Sequence, residues 1–479
     1  MNNNGCFFLA GPPCSPHSVM KTALLIDADH LLRHSLALWL RQAGWVVLEA
    51  DEGATGLAIA LEQKPALILC DMLAPRYNGY QLCRLLRAKP EKLPGARIVV
   101  TTQSGYGVDR ETALQAGADE CIVKPILQSD LLRLLQTIPG TSVETQMAAR
   151  PWTPDRPENE FPPLPHGAIP DGPALVRFWG VRGSIATPGA STLRYGGNTS
   201  CVEVRADGQL IVLDAGTGIR PLGLSLAQEF KERPLSLTVL ITHTHWDHIQ
   251  GFPFFDPAYN PENRLRILGY EGAREGLLGA LSSQMESPYF PVGWQQLPSY
   301  ITLQELKQPE FHIGPIRVET MYLNHPGICV GYRLHTSAGV IAYLPDNEPF
   351  QRYKYHADPK AQAGSTEILE FARRMDQKLM DFIHDAEVLV IDAQYDATEY
   401  QTRVGWGHGC VDDVVALALN ANVKRLFLFH HDPAHDDAKL DGMVDWARQF
   451  VAALGEGMPV EAAREGSEVL LKASRAGGA

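Results

Sequence analysis

The sequence has no CxxC pair: its eight cysteines (Cys6, Cys14, Cys70, Cys83, Cys121, Cys201, Cys329, Cys410) are scattered over 479 residues. That excludes a thiolate zinc site and a disulfide-stapled fold, and reads as buried thiols in a reducing cytoplasm. No apolar run approaches the roughly 20 residues that cross a bilayer, so no membrane helix is expected. The apolar patch Phe7 to Ala10 lacks a basic lead and is cut by Gly11, Pro12 and Pro13, which argues against a secretory signal. Positive charge is also short, with 42 Lys and Arg against 55 Asp and Glu and a net charge of −13. Broad capture of nucleic acid needs clustered cations, so nucleic acid is an unlikely partner. What is there is ordinary, 45% hydrophobic and 20% charged. Collagen, mucin and coiled coil are excluded, and at about 150 residues per domain the length implies two or three domains.

The first 19 residues read as a disordered extension, with Met20 as an alternative start. From residue 20 to 140, five short apolar strands alternate with amphipathic helices, beginning at Ala23 to Ile26 and closing with Glu120 to Val123 and a helix from Ser129 to about Gln136. This alternation specifies an α/β fold with a doubly wound, five-stranded parallel sheet. Residues 141–172 hold seven prolines and few apolar side chains, the composition of an extended linker. Beyond it, residues 173–475 are rich in β-branched strands separated by glycine turns, with helices near Ile368 to Ile383, Val411 to Leu419 and Gly442 to Leu454. They read as a second α/β domain with two largely antiparallel sheets. Residues 20–140 are charge-neutral, whereas 173–479 carry 27 basic and 37 acidic side chains.

In an open parallel sheet the carboxyl ends of the strands face one crevice. Asp27 and Asp29 follow the first strand, Asp71 the third, Thr101 and Thr102 close the fourth, and Lys124-Pro125 follows the fifth. Converging carboxylates suit Mg²⁺, and a lysine with a hydroxyl suits a phosphoryl group beside it. Residues 20–140 resemble a response-regulator receiver domain, through the DxD, Asp71-MLAPRYNG, AGAD and Lys124-Pro125. The resemblance implies Asp71 as phospho-acceptor, Lys124 as its phosphate partner, Thr102 (or neighbouring Thr101) as the switch hydroxyl, bound Mg²⁺, and a histidine kinase as partner. Two positions depart from the pattern: Ala28 stands where the family has a second acid, and Cys121 where it has an aromatic switch residue. Asp29 is the carboxylate placed to substitute in part, and the rival expectation is a receiver kept for docking or homodimer formation.

The strongest pattern is the strand Leu237 to Thr242 running into His243-Thr-His245-Trp-Asp247-His248. Nitrogen and carboxylate ligands at such short spacing suit Zn²⁺, Mn²⁺ or Fe, and two pairs suggest two metals. A two-metal centre needs further ligands. His325 in NHPG, Asp346 in YLPDN and His430 in LFHHDP are candidates at strand ends, with His431 the rival to His430. Asp214, ending IVLDAG, reads as a carboxylate that orients a ligand histidine.

Residues 174–470 resemble the metallo-β-lactamase superfamily, in its phosphodiesterase branch with ribonuclease Z, through RGSIATPG, RYGGNTSCVEV, LDAGTG, HTHWDH, NHPG, YLPDN, DAQY, GWGHG and LFHHDP. The resemblance implies an αββα sandwich in which His243, His245 and His325 hold one metal, Asp247, His248 and His430 the other, and Asp346 bridges. It implies catalytic roles for Asp247 and for His408 of GWGHG, the latter stabilising the transition state or leaving group, and phosphate contacts from Asn198 and Arg194. The expected activity is hydrolysis of a small cyclic or nucleotide phosphodiester, modulated by the receiver. The alternatives are a ribonuclease Z-like endonuclease, disfavoured by the acidity, a thioester or lactam hydrolase, and a non-catalytic signalling protein.

Overall fold

Five apolar runs of four to six residues, each followed by a helix with one apolar face, build the first sheet. The structure, a computed structural model, describes residues 21–138 and 173–471 apart from 92, 94, 104–106, 125, 127, 137, 271–275, 287–288, 351–365 and 456. The expected extension 1–19 and linker 141–172 lie outside the described residues. The first sheet and its helices run β1 (Thr22–Ile26), α1 (His30–Gln42), β2 (Val46–Ala50), α2 (Gly53–Gln63), β3 (Leu67–Asp71), α3 (Gly79–Arg87), β4 (Arg97–Thr102), α4 (Gly107–Gln115), β5 (Glu120–Val123) and α5 (Gln128–Gln136). Its strands pair in the order β2-β1-β3-β4-β5, all parallel, as the alternation predicts. Parallel strands are buried on both faces and so read as continuous apolar runs: one apolar cluster contains Leu24, Ile68 and Val100, another Ala23, Leu67 and Val99.

The C-terminal unit begins with β6 (Ala174–Gly180), β7 (Cys201–Ala206), β8 (Gln209–Leu213), α6 (Ile219–Glu229), β9 (Ser236–Ile241), α7 (Trp246–Ile249), β10 (Arg264–Gly269), α8 (Gly276–Ser283) and β11 (Tyr300–Glu305). It continues with β12 (Glu310–Ile313), β13 (Ile316–Tyr322), β14 (Val330–Thr336), β15 (Gly339–Leu344), α9 (Thr366–Ile383), β16 (Val388–Asp392), α10 (Ala397–Tyr400), α11 (Val411–Asn420), β17 (Leu426–Phe429), α12 (Asp437–Ala453), β18 (Val460–Ala462) and β19 (Glu468–Leu471). Two seven-stranded sheets result, ordered β11-β10-β9-β8-β7-β6-β19 and β12-β13-β14-β15-β16-β17-β18. They share one apolar cluster: Val176, Phe178, Val202 and Leu213 from the first meet Val318, Tyr332, Ile341 and Phe429 from the second. The alternate side chains face outward, Leu210 and Val212 under α6, and Leu389, Ile391 and Leu428 under α11 and α12. The layers are therefore helix, sheet, sheet, helix.

The sheets are not largely antiparallel, as the sequence pattern suggests. Each is antiparallel on one side and parallel on the other: β8-β9-β10-β11 and β15-β16-β17-β18 are parallel runs. The helices between these strands explain it, because a helical crossover returns the chain in the direction it left. Parallel strands also bring successive carboxyl ends to one rim, which is where the polar motifs lie.

The two units touch. Arg76 donates its backbone N–H to the Lys307 carbonyl at 2.9 Å, Gly327 donates its N–H to Asp109 Oδ1 at 2.8 Å, and Arg374 pairs with Asp29 at 3.2 Å. No helix among the described residues is long and apolar enough to cross a membrane.

A Cβ at Gly180 would sit 1.8 Å from the Thr199 carbonyl oxygen, where neither backbone can yield. Gly180→Ala is expected to cost the C-terminal unit about 3 kcal/mol or more, read as a lowered urea midpoint.

Candidate metal centre

Strand ends on the shared rim carry the polar side chains. β8 runs into Asp214, β9 into Thr242 and His243, β15 into Asp346 and β17 into His430, while β16 ends on Asp392. The one-turn α7 holds Asp247 and His248 just after His245, and His325 lies in the turn between β13 and β14. Asp214 (φ 62°) and His430 (φ 58°) adopt the left-handed backbone. That conformation costs a non-glycine residue about 1–3 kcal/mol and is tolerated where surrounding packing over-determines it.

The ligand atoms of His243, His245 and His325 lie within 4.8 Å of one another, as do those of Asp247, His248 and His430. His325 Nε2 is 3.0 Å from His245 Nδ1. Asp247 Oδ2 is 3.1 Å from His430 Nε2 and 3.2 Å from His248 Nε2. Asp346 stands between the groups, with Oδ1 3.1 Å from His248 and Oδ2 at 3.4 Å from His430, 3.6 Å from His325 and 3.8 Å from His243.

The outer atoms of the rings are held by partners that set their tautomers. His325 Nδ1 lies 2.9 Å from the Gly407 carbonyl, which can only accept, so Nδ1 carries the proton and Nε2 presents its lone pair to the cluster. His248 Nδ1 lies 2.9 Å from Asp214 Oδ2. Asp214 in turn accepts from the Thr242 N–H at 2.8 Å and the Tyr343 hydroxyl at 2.9 Å. His243 Nδ1 faces Thr242 Oγ1 at 3.1 Å and Cys329 Sγ at 3.6 Å.

Burial pushes His243 and His245 down and takes His325 to about 3, so these rings are neutral, the form that ligates. Burial opposes the charged form of Asp247 and Asp346 too, but facing histidines outweigh it and hold both below the usual carboxylate range. His243 Nε2 is buried without a protein hydrogen-bond partner, and Asp346 Oδ1 has only the His248 ring beside it. Buried polar atoms are rarely orphaned, and a set of imidazole nitrogens and carboxylate oxygens converging this way fits two Zn²⁺, Mn²⁺ or Fe ions.

His408 lies beside this set, its Nδ1 2.8 Å from Asp392 Oδ2 and 3.9 Å from Asp346 Oδ2. Burial lowers its basicity, but Asp392 overcomes that and lifts it to about 9, so the ring is an imidazolium at neutral pH. Asp392 itself is pushed up by burial. Glu348 positions the turn that carries His408 by accepting the N–H groups of Gly405 at 2.7 Å and Gly407 at 2.9 Å. A Cβ on Gly407 (φ 88°) would fall 2.6 Å from His325 Nδ1, so this turn requires glycine.

The sequence pattern assigns no role to Asp392, which opens DAQY, or to Glu348. Asp392 ends the apolar run Val388–Asp392, the same strand-end signal that marks Asp346. Glu348 follows YLPDN and carries no local signature. His431 points away from the cluster, its Nε2 2.9 Å from the Ala463 carbonyl, whereas His430 joins it. Asn198 gives its Nδ2–H to Glu465 at 3.0 Å and Arg194 pairs with Asp441 at 2.6 Å, so both side chains are engaged with acids.

The second expected site lies at the end of the first sheet. Lys124 Nζ is 2.8 Å from Asp27 Oδ2 and 2.9 Å from Asp71 Oδ1, all buried. Burial raises Asp71 to about 6 against the pull of Lys124, and the two carboxylates raise Lys124 although burial works against it. Thr102 is buried at the end of β4. Asp29 is turned elsewhere: its Oδ1 accepts the Leu32 N–H of α1 at 3.2 Å and its other oxygen meets Arg374.

Residues 23–136 match the response regulator receiver domain family, and residues 209–431 the beta-lactamase superfamily domain. Among curated relatives, the transcriptional regulatory protein AfsQ1 of Streptomyces coelicolor is 36% identical over 107 residues, 22% of this chain and 46% of that protein. The chain spans about half the length of the curated relatives it matches. Among solved structures, the metallo-beta-lactamase fold protein YhfI from Bacillus subtilis is similar, with 16% identity, a TM-score of 0.42, and coverage of 62% of this chain and 98% of that one. A diphosphatase of the PhnP family has the same identity and TM-score, covering 63% of this chain and 98% of that chain.

Chelation is expected to lower the Tm of the C-terminal unit, and Zn²⁺ to restore it, because the ions bind only the folded arrangement; calorimetry before and after dialysis checks this. In metal-free protein the Asp71 carboxyl is expected to titrate near pH 6, protonating as pH falls, so a ¹³C carboxyl titration with its midpoint near 4 would contradict the burial argument.

Proposed function

We propose that this chain, a response regulator receiver domain joined to a hydrolase domain of the beta-lactamase superfamily, is a binuclear metal-dependent phosphodiesterase acting on a small cyclic or nucleotide phosphodiester. The observation that carries the reading is Asp346, whose two oxygens lie between the histidines of both groups and suit a bridge between two ions. His243, His245 and His325 would hold one ion, and Asp247, His248 and His430 the other. Divalent ions held there supply Lewis acidity toward a phosphoryl oxygen and ionise a water at neutral pH.

The chain's own groups do the rest. Asp214 keeps His248 in one orientation, as Gly407 does His325. His408, charged and partly open at the edge of the cluster, is placed to give its proton to the alkoxide that leaves phosphorus, and Asp392 keeps that proton available. The acid surplus of this domain repels a polynucleotide, which favours a small substrate over RNA. Asp71, beside Lys124, suits phosphorylation by a histidine kinase with Mg²⁺ bound, and both activities belong in the cytoplasm; receiver-mediated homodimerisation is the other route of control.

Metal analysis of the purified chain, coupled to a screen of bis-p-nitrophenyl phosphate, cyclic nucleotides and a lactam, tests the reading. A fully metallated sample that turns over no phosphodiester sinks it, and lactam turnover alone assigns acyl chemistry instead. His408→Ala is expected to slow hydrolysis about 10²-fold or more when the leaving group is an alkoxide, and less than about tenfold when it is p-nitrophenolate, which needs no proton. Because the imidazolium that Asp392 stabilises is lost as pH rises, kcat for an alkoxide ester is expected to fall on the alkaline side. Asp392→Asn should move that limb toward the ordinary histidine range in a pH–rate profile.

A further inference from the structure

The five residues from His325 to Cys329 leave the metal cluster and return to it. His325 Nε2 faces Asp346 and His245, and Cys329 Sγ lies 3.6 Å from His243 Nδ1. Between these two anchors the turn reaches into the receiver domain. The Gly327 N–H donates to Asp109 Oδ1 of α4 at 2.8 Å, and Ile328 is buried in the same apolar cluster as Tyr80, Ala113 and Cys121 of the receiver. Gly327 adopts φ 81°, so the apex is a tight turn with little slack between Asp109 and His325.

Asp109 is fully buried, so its bond to the Gly327 amide is shielded from water, where a hydrogen bond is strengthened. On its other side the chain of contacts leads to the phospho-acceptor. The Tyr80 hydroxyl lies 3.4 Å from the Asp109 carbonyl and 2.9 Å from Met72 Sδ, and Met72 follows Asp71. The turn is also met at its base. A cavity of about 240 Å³ at Asp71 and Lys124 is walled by Lys307, Tyr322 and Lys378 of the hydrolase domain, and Tyr322 lies three residues before His325. A ligand histidine is therefore bracketed by receiver contacts at both the base and the apex of its turn.

We propose that Asp109 is a positioning residue for the metal centre: through the Gly327 amide it sets the turn that carries His325, and so makes the receiver domain part of the support of one metal site. The inference rests on the two-ion reading of the cluster but not on any substrate. Groups that orient a ligand typically change metal affinity 10- to 100-fold when removed. The effect falls on the ion held by His243, His245 and His325, because the Asp247, His248 and His430 group has no such link to the turn among the contacts of the described residues.

The test is a Co²⁺ titration of the full-length chain against a chelating dye, with the visible spectrum recorded at each equivalent. Asp109→Ala is expected to weaken one of the two equivalents about tenfold or more and to alter its spectrum, leaving the other equivalent unchanged. Asp109→Asn, whose amide oxygen still accepts but without charge, is expected to weaken the same equivalent by a smaller factor, about threefold. Gln115→Ala, exposed on the same helix, should match the wild type. Wild-type affinity and spectrum in both Asp109 variants overturn the proposal, as does equal loss of both equivalents. If the alanine variant does not fold, wild-type behaviour of the asparagine variant suffices to overturn it. Because the readout is metal binding, a chain that hydrolyses no phosphodiester yet shows the selective loss fails only the proposed function.

Discussion

One buried carboxylate, Asp346, ties the two sheets of the C-terminal domain into a single centre. It leaves the end of β15 in one sheet and faces His243 and His248 from the other, together with His325 and His430 from its own. Burying an anion is expensive unless opposite charge or strong donors surround it, and removing such partners costs several kcal/mol. Asp346 is buried with Asp247, and Asp214 and Asp392 stand behind the histidines, so four acids gather in one buried cluster, and the raised basicity of His248 and His408 offsets only part of their charge. Cations held there would complete that balance. Part of the domain's surplus acid would then be the counter-charge of those cations.

Such a cluster is not what holds the domain together. Its residues adopt left-handed backbone at Asp214 and His430, and its orphaned nitrogens and oxygens are liabilities in the absence of ions. The restraint comes from the apolar layers on either side, where Phe178, Tyr343 and Phe429 pack between the sheets and Val239 and Ile391 pack beneath the outer helices. The strands that fill these layers are the ones whose ends carry the ligands, so the packing that pins a strand also pins its terminal side chain.

Much of this was legible in the sequence because buried parallel strands must be continuous apolar runs, and a polar side chain ending such a run stands out. His243, Asp346 and His430 announce themselves in this way, and so do Asp71 and Lys124. Strands β11, β12, β18 and β19 all lie at sheet edges. An edge strand needs no apolar face toward a second neighbour, and β11 is only half-buried along its length, so its sequence carries a weaker pattern. Asn198 illustrates the opposite limit. The resemblance implies a phosphate contact for it, but its side chain is engaged by Glu465, 267 residues away, and no local pattern encodes that partner. Asp109 likewise has the spacing of an ordinary acid in a helix's first turn, and only the fold reveals that it is buried against a glycine of another domain.

That contact bears on why a neutral receiver-like domain and an acidic C-terminal domain share a chain. Had the two been joined by the linker alone, the seam between them would be expected to be polar and remote from the chemistry, as transient domain interfaces are. Here Ile328 of one domain lies within the apolar core of the other, and Arg374 reaches Asp29 beside the Asp71 pocket. A displacement of α4 relative to the C-terminal domain must therefore expose Ile328, strain the turn or carry His325 with it, and the first two carry a free-energy cost. Any coupling between the sites would then depend on which arrangement of one short turn is lower in energy, and by linkage an ion held at His325 would act on the receiver as strongly as the receiver acts on the ion.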